Sequence, residues 1–166
     1  MDNIQIIDDF LTDEDIEHIT NFDNYSDKTW IIQRSSETEG HEFLMKDLTH
    51  DSFYTSYLGD KIKKTVLPAH QPVNNCSYVL DRVYLNGQWP GREGGLHSDE
   101  CTRTVLLYIT PCDPDWGGFT QIVKSPTEQI IIPPVFKRLV SFPGNMLHKG
   151  YSFANQNCPM RITVAF

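Results

Sequence analysis

The second half of the chain contains a series of short runs rich in β-branched and aromatic residues, separated by clusters of Gly, Pro, Asn and Asp. This spacing is typical of a sandwich or barrel built from short strands. The predicted strands lie in residues 76–86, 102–110, 128–133, 137–142 and 160–166. The sequence therefore predicts an antiparallel β core with two sheets, either a jelly roll or a related barrel.

The first half has a different pattern, with two predicted helices and two short strands. The helices are expected in residues 11–22 and 51–67, and the strands in 3–8 and 29–34. Thr12 is a suitable N-cap for the first helix, and Pro68 and Pro72 are expected to end the second. We therefore expect one domain over residues 1–166, with helical support in about 1–75 and the β core in about 76–166.

Composition excludes several classes of protein. Hydrophobic residues make up 39% and charged residues 22%, as in ordinary globular domains. The net charge is −8 and no basic stripe is visible, which argues against nucleic-acid binding. No apolar run is long enough to cross a membrane and the N-terminus is acidic, so a cytoplasmic location is expected. The four cysteines form no CxxC pair and are predicted to be reduced, partly buried thiols: Cys76, Cys101, Cys112 and Cys158.

A candidate metal site begins in the segment GREGGLHSDE, residues 91–100. In a strand, His97 and Asp99 would point to the same face, since side chains alternate. His148 follows a strand and a Pro-Gly turn in SFPGNMLHKG, where it could face the pair across the mouth of a sandwich. Two histidines and one carboxylate form the facial triad of non-haem iron(II) oxygenases, although zinc accepts the same ligands. The other histidines are interpreted as surface or structural residues: His18, His41, His50 and His70.

The last predicted strand, in the segment CPMRITVAF, indicates an anion site. Arg161, Thr163 and Ala165 alternate with apolar residues and would share one face. An arginine projecting into a barrel needs a partner, and a carboxylate suits its planar guanidinium. The distal carboxylate of 2-oxoglutarate fits this description, with Thr163 adding a hydrogen bond. The alternative is an edge-strand arginine in a surface ion pair.

Taken in order, these segments resemble the iron(II)- and 2-oxoglutarate-dependent oxygenases, and among them the prolyl 4-hydroxylase-like branch. The resemblance covers roughly residues 76–166 and is carried by RVYLNGQWPGREGGLHSD, TVLLYIT, DWGGFTQI, RLVSFPGNMLHKG and PMRITVAF. It implies a mainly β fold with supporting helices around a double-stranded β-helix (jelly roll, cupin-like) core. It also implies Fe(II), 2-oxoglutarate and O2, with ascorbate as a candidate reductant.

The resemblance also implies individual roles. Iron would be bound by His97, Asp99 and His148, and 2-oxoglutarate would be held by Arg161, Thr163, Tyr108 and Tyr84, the last lining the iron pocket. No catalytic residue beyond the metal centre is expected. Three features depart from the family pattern, and one is the step of 13 residues from His148 to Arg161, which is somewhat longer than usual. Residues 117–120 are Gly-Gly-Phe-Thr where the family often has Gly-Gly-Glu-Thr, and an arginine replaces the lysine that collagen-type relatives often use.

The reaction that the resemblance implies is hydroxylation of a substrate C–H bond, with succinate and CO2 as co-products. A peptidyl proline is the first hypothesis for the substrate, and a free amino acid or another side chain is the second. The third hypothesis is a non-catalytic, cupin-like module that binds metal. A peptide or protein partner is expected before a small molecule, and neither nucleic acid nor membrane is expected. Candidates for a substrate loop are Trp89, Arg92 and Trp116.

Overall fold

The computed structural model describes residues 4–25, 30–34, 40–66 and 78–166, without the side chains of residues 22–25. Its described strands form two antiparallel sheets. The strands are β1 Gln5–Ile7, β2 Ile31–Gln33, β3 Phe43–Asp47, β4 Tyr84–Gln88, β5 Arg103–Tyr108, β6 Thr120–Ser125, β7 Glu128–Ile132, β8 Leu139–Pro143, β9 His148–Gly150 and β10 Arg161–Ala165. The large sheet has the order β1-β8-β5-β10-β4-β3-β2, and the small sheet has the order β7-β6-β9.

Helices cover one face of the large sheet. They are α1 Asp13–Tyr25 and α2 Gly59–Val66, the latter preceded by a π-helical segment, Phe53–Leu58. Thr12 caps α1, since its hydroxyl accepts a hydrogen bond from the Asp15 amide at 3.1 Å while the Asp15 carboxylate accepts one from the Thr12 amide at 2.9 Å. Lys61 Nζ lies 2.7 Å from Asp15 Oδ2, which links α2 to α1. None of the described helices is long and apolar enough to cross a membrane.

The large sheet separates two hydrophobic cores. Val164, Leu85 and Leu107 pack with the helices on one face. Leu106 and Ala165 face the other way and pack against residues of the small sheet. This alternation follows from the side-chain period of two along a strand. It turns Arg161 and Thr163 toward the space between the sheets, because they share a face with Ala165.

The predicted β core is confirmed, and some boundaries differ. Residues 78–83 are not in a strand, and β4 instead begins at Tyr84 and extends to Gln88. Three strands, β3, β6 and β9, were not predicted as separate elements. The segment before residue 76, expected as helical support, also contributes β1, β2 and β3 to the large sheet. Pro68 and Pro72, the predicted end of the second helix, lie outside the described residues.

Candidate metal centre and adjoining cavity

The structure brings His97, Asp99 and His148 together at the edge of the small sheet. His97 and His148 form an isolated antiparallel bridge, with backbone N–O distances of 3.0 and 2.7 Å. The Asp99 amide donates to the carbonyl of Gly144 at 2.8 Å, which fixes the carboxylate beside the two rings. One ligand atom from each of the three residues lies within 4.8 Å of the others. The three residues therefore present their donor atoms to a common point.

Backbone carbonyls orient both imidazole rings. Nδ1 of His97 lies 2.9 Å from the carbonyl of Gly95, and Nδ1 of His148 lies 3.0 Å from that of Met146. A carbonyl only accepts hydrogen bonds, so each Nδ1 carries a proton and donates, and Nε2 is the ring nitrogen left to bind a metal. The Nε2 atoms lie 3.8 and 3.6 Å from the Asp99 carboxylate oxygens. This is the arrangement in which metal-binding histidines are held by an outer hydrogen bond.

The surroundings favour an unprotonated His148. Burial lowers the pKa of His148 below its ordinary value, and the neighbouring His97 lowers it further. The edge of Phe142 packs against the ring, with centroids 4.8 Å apart. A neutral imidazole is the form that binds a metal.

Asp99 is held by a hydroxyl and approached by a cation. The Thr104 hydroxyl donates to Oδ2 of Asp99, and Arg82 Nη2 lies 4.0 Å from Oδ1. The carboxylate is only 9% exposed. Two imidazole nitrogens and one carboxylate on one side of a point fit Fe(II) and leave room for further ligands, and they also fit zinc.

A cavity of about 530 Å³ adjoins this centre and is lined by both sheets. Arg161 lies at its inner end and is 3% exposed. Its guanidinium donates to the Gly118 carbonyl at 2.8 Å, to Gln88 Oε1 at 2.7 Å and to Thr120 Oγ1 at 3.2 Å. Burial lowers the pKa of Arg161 from its ordinary value. Within the described ranges no carboxylate pairs with this buried cation, which favours an anionic ligand at this end.

Three other residues with expected roles surround the same cavity. Thr163 and Tyr84 contribute to its lining. Tyr108 lies under the Arg161 guanidinium at 5.2 Å, and its hydroxyl lies 2.6 Å from Thr120 Oγ1. Burial raises the pKa of Tyr84, and the charge of Asp99 raises it further. All the residues expected to hold iron or 2-oxoglutarate therefore lie in or directly behind the wall of one cavity.

The three candidates for a substrate loop lie away from the cavity wall. Trp89 is 53% exposed and Arg92 is exposed. Trp116 packs edge-on against Phe153, with ring centroids 5.5 Å apart. The loop that carries Trp89 is tied down by backbone hydrogen bonds of Gly91 and Gly94. Their role in substrate binding stays a prediction.

Several cavity residues were not expected from the sequence: Asn86, Gln88, Thr104, Thr120 and Arg82. Gln88 and Thr120 are the side-chain acceptors for Arg161, and Thr104 supports Asp99. Polar residues of these types occur throughout the chain, so residue type alone could not identify these ones as part of the cavity. Gln88 carries a positional signal only once its pairing with Arg161 across β4 and β10 is known.

The remaining histidines and cysteines do not join the site where they are described. His18 stacks on Phe53 with centroids 3.8 Å apart, and His41 and His50 are exposed. Cys101, Cys112 and Cys158 are free and partly buried. His70 and Cys76 lie outside the described residues.

No protein-family model matches the sequence, and no curated protein matches it. Solved structures do match. An oxidoreductase of the 2OG-Fe(II) oxygenase family from Burkholderia pseudomallei gives a TM-score of 0.79 at 11% identity, over 98% of this chain and 83% of that one. A prolyl hydroxylase from Trichoplax adhaerens, in complex with a peptide fragment of the hypoxia inducible factor oxygen degradation domain, gives 0.74 at 17% identity, over 98% and 81%.

The chain has the fold of the 2OG-Fe(II) oxygenases. The same fold occurs in a non-heme alpha ketoglutarate dependent carbocyclase from nogalamycin biosynthesis, with a TM-score of 0.69 at 12% identity, over 99% of this chain and 78% of that one. A prolyl hydroxylase and a carbocyclase thus share one architecture. The fold alone therefore does not select a reaction or a substrate.

Proposed function

We propose that the protein is an iron(II)- and 2-oxoglutarate-dependent dioxygenase that hydroxylates a substrate C–H bond, with a peptidyl proline as the first candidate substrate. The observation that carries the proposal is the occurrence of two sites in one cavity. The triad His97, Asp99 and His148 lies at its edge, and the buried Arg161 lies at its inner end. Iron(II) bound there, with 2-oxoglutarate and O2, supplies the oxidising chemistry that yields succinate, CO2 and a hydroxylated product.

The metal end acts by orientation. The carbonyls of Gly95 and Met146 hold the two rings so that their Nε2 atoms lie on the side of Asp99. The Thr104 hydroxyl engages Oδ2 of Asp99, which leaves Oδ1 as the better placed ligand atom. These outer hydrogen bonds fix the orientation of the three side chains that would hold the metal.

The inner end binds the distal carboxylate of 2-oxoglutarate in this proposal. Arg161 lies against Gly150 of β9, where a side chain at Gly150 would come within 3.6 Å of Nη1. Gly150 and His148 share a face of β9, about 6.6 Å apart along the strand. A dicarboxylate of the length of 2-oxoglutarate can therefore extend from the guanidinium toward the triad. Thr163 lines the same stretch of the cavity and can add a hydrogen bond.

Gly118 shows why the inner end needs a small residue. Its backbone has φ +76°, and an added Cβ would lie 2.6 Å from the ring of Phe153. Its carbonyl is the acceptor for Arg161 Nε at 2.8 Å. The Gly-Gly-Phe-Thr segment, where the sequence departs from the family pattern, thus supplies two partners of Arg161, Gly118 and Thr120.

Two observations support a proline substrate. One structural neighbour is a prolyl hydroxylase in complex with a peptide. In this chain, apolar residues line part of the cavity and suit a pyrrolidine ring: Phe43, Met45, Leu106 and Ala165. A polypeptide would lie across the mouth with its proline directed toward the triad.

Coupled succinate formation tests the proposal. The purified chain is supplied with Fe(II), 2-oxoglutarate, ascorbate and a broad panel of proline-containing peptides, and succinate and hydroxyproline are quantified. We expect equal amounts of both products, and neither from Asp99→Ala. If the panel yields succinate without hydroxyproline, proline is rejected as the substrate, but the assignment as an oxygenase still holds. Absence of succinate despite intact metal binding would instead identify a non-catalytic metal-binding module.

A further inference from the structure

Two arginines line the mouth of the cavity, and they differ in their partners. Arg34 and Arg82 are equally exposed, with 53% of each side chain accessible. Arg34 Nη2 lies 3.2 Å from Glu42 Oε1, so its charge is paired. Arg82 Nη2 has Asp99 Oδ1 at 4.0 Å, and in the described part of the chain no other carboxylate pairs with it.

Asp99 is a partner that Arg82 loses when the centre is loaded. Its Oδ2 is engaged by Thr104, and its Oδ1 also faces His97 Nε2 at 3.8 Å. A divalent cation at the triad takes over the carboxylate charge. With two neutral imidazoles, the charges of that cation, Asp99, doubly negative 2-oxoglutarate and Arg161 balance one another. Arg82 then has no carboxylate paired with it among the described residues, although Asp47, Asp81 and Glu100 also line this cavity.

The placement of Arg82 suits it to bind an incoming anion. Its guanidinium lies 5.6 Å above the ring of Tyr84, which supports one face of the group while its edge stays accessible. The planar fork of an arginine matches a carboxylate with two parallel hydrogen bonds. Arg82 is also exposed at the mouth, whereas Arg161 is buried at the inner end. A ligand that reaches Arg82 therefore comes from the substrate side.

We propose that Arg82 binds a carboxylate of the substrate and thereby determines specificity for an acidic substrate. The inference rests on the proposed function and names the class of molecule that the same site accepts. The carboxylate has two chemical sources. It is either the α-carboxylate of a free or C-terminal proline, or the side-chain carboxylate of an acidic residue next to a proline within a peptide.

A binding experiment without turnover tests the proposal. The full chain is loaded with Mn(II) and 2-oxoglutarate and titrated by calorimetry with N-acetyl-L-proline and with N-acetyl-L-prolinamide. A second pair, N-acetyl-Asp-Pro-amide and N-acetyl-Asn-Pro-amide, tests the side-chain source. We expect the acid of one pair to bind about tenfold more tightly than its neutral analogue. The pair that shows the preference identifies the source of the carboxylate.

Variants assign the preference to Arg82. Arg82→Gln should remove the preference for the acid, and Arg82→Lys should retain part of it. Arg34→Gln is the matched control, since it removes an equally exposed arginine of the same rim, and it should keep the full preference. Binding of 2-oxoglutarate should be the same in all three variants.

Each contrary result has a distinct meaning. Equal binding of acid and neutral analogue in both pairs, no binding of either acid, or a retained preference in Arg82→Gln overturns the proposal. Weaker binding of 2-oxoglutarate itself to Arg82→Gln also overturns it, because Arg82 would then serve the co-substrate. Binding of Mn(II) and 2-oxoglutarate to the wild type is measured before any acid is added. If either fails to bind, the result counts against the proposed function and not against the role of Arg82.

Discussion

The two ends of the cavity hold charged groups in opposite ways. At the metal end, backbone carbonyls orient His97 and His148, and His97 remains 26% exposed. At the inner end, Arg161 is 3% exposed and is held by three neutral acceptors. In the proposed function, the metal end recruits a cation from solvent, whereas the inner end already contains the cation of Arg161 and binds an anion. Changes at one end should therefore leave binding at the other intact.

Removing Asp99 should have the largest effect. Asp99→Ala takes away the only anionic ligand of the triad, and we expect Mn(II) affinity to fall by at least about a hundredfold, beyond what loss of an outer-shell partner costs. Calorimetry or electron paramagnetic resonance measures this directly. The variant should stay folded, because Asp99 is not part of either hydrophobic core. Thermal unfolding measures this. Unchanged Mn(II) binding would place the metal elsewhere.

Changing Arg161 should affect the opposite ligand. Arg161→Gln removes the buried cation, and we expect the affinity for 2-oxoglutarate to fall about a hundredfold. The affinity for Mn(II), measured without 2-oxoglutarate, should stay within about twofold of the wild-type value. Arg161→Lys keeps the charge without the planar fork and should give an intermediate loss. Titration of both ligands checks the separation. A parallel loss of Mn(II) affinity would show that the two ends are one coupled unit.

Thr104 sharpens the comparison at the metal end. Thr104→Val is nearly isosteric and removes the hydroxyl that donates to Asp99 Oδ2. Loss of such an outer-shell partner should weaken Mn(II) binding about tenfold. Thr104→Ser should restore it. If Thr104→Val binds Mn(II) as tightly as the wild type, the orientation of Asp99 depends on its backbone hydrogen bond alone.

Val164 tests the two faces of a single strand. It is fully buried against the helices, whereas its neighbours on β10, Arg161 and Thr163, face the cavity. Val164→Ala should lower the free energy of unfolding by roughly 2 kcal/mol, measured by urea denaturation. Binding of Mn(II) and 2-oxoglutarate to the folded variant should not change. A loss of binding would mean that packing on the helical face sets the position of Arg161.

Asp15 gives the smallest predicted effect and a pH dependence. Burial raises its pKa, but hydrogen bonds from Lys61 and Thr12 outweigh burial and hold the pKa below its ordinary value. The ionised form is therefore preferred in the folded state, so its contribution is present above pH 4 and is lost as the pH falls through the lowered pKa. Asp15→Asn should lower the free energy of unfolding by about 1 kcal/mol at pH 7. The difference from wild type, measured by urea denaturation at several pH values, should shrink below pH 4.

Local patterns in the sequence were sufficient for the β core and for the capped first helix. Alternation along residues 160–166 predicted that Arg161, Thr163 and Ala165 share a face, and all three line the cavity. Boundaries were less predictable. The apolar run before Tyr84 has strand composition, yet residues 78–83 form no ladder, because a strand also needs a partner with free hydrogen-bonding groups. β3 was missed for the complementary reason, since its residues become a strand through pairing with β2 and β4.

By itself, the sequence determined the residue types: two histidines and an aspartate that can bind a metal, and an arginine on a polar strand face. These properties are local, since they depend on side-chain chemistry and on the period of a strand. The tertiary structure decided which groups meet. The His97–His148 bridge joins residues that are 51 positions apart in the sequence. Gln88 reaches Arg161 only because β4 pairs with β10. Such contacts depend on register between distant strands, which burial and hydrogen bonding of the whole sheet fix together.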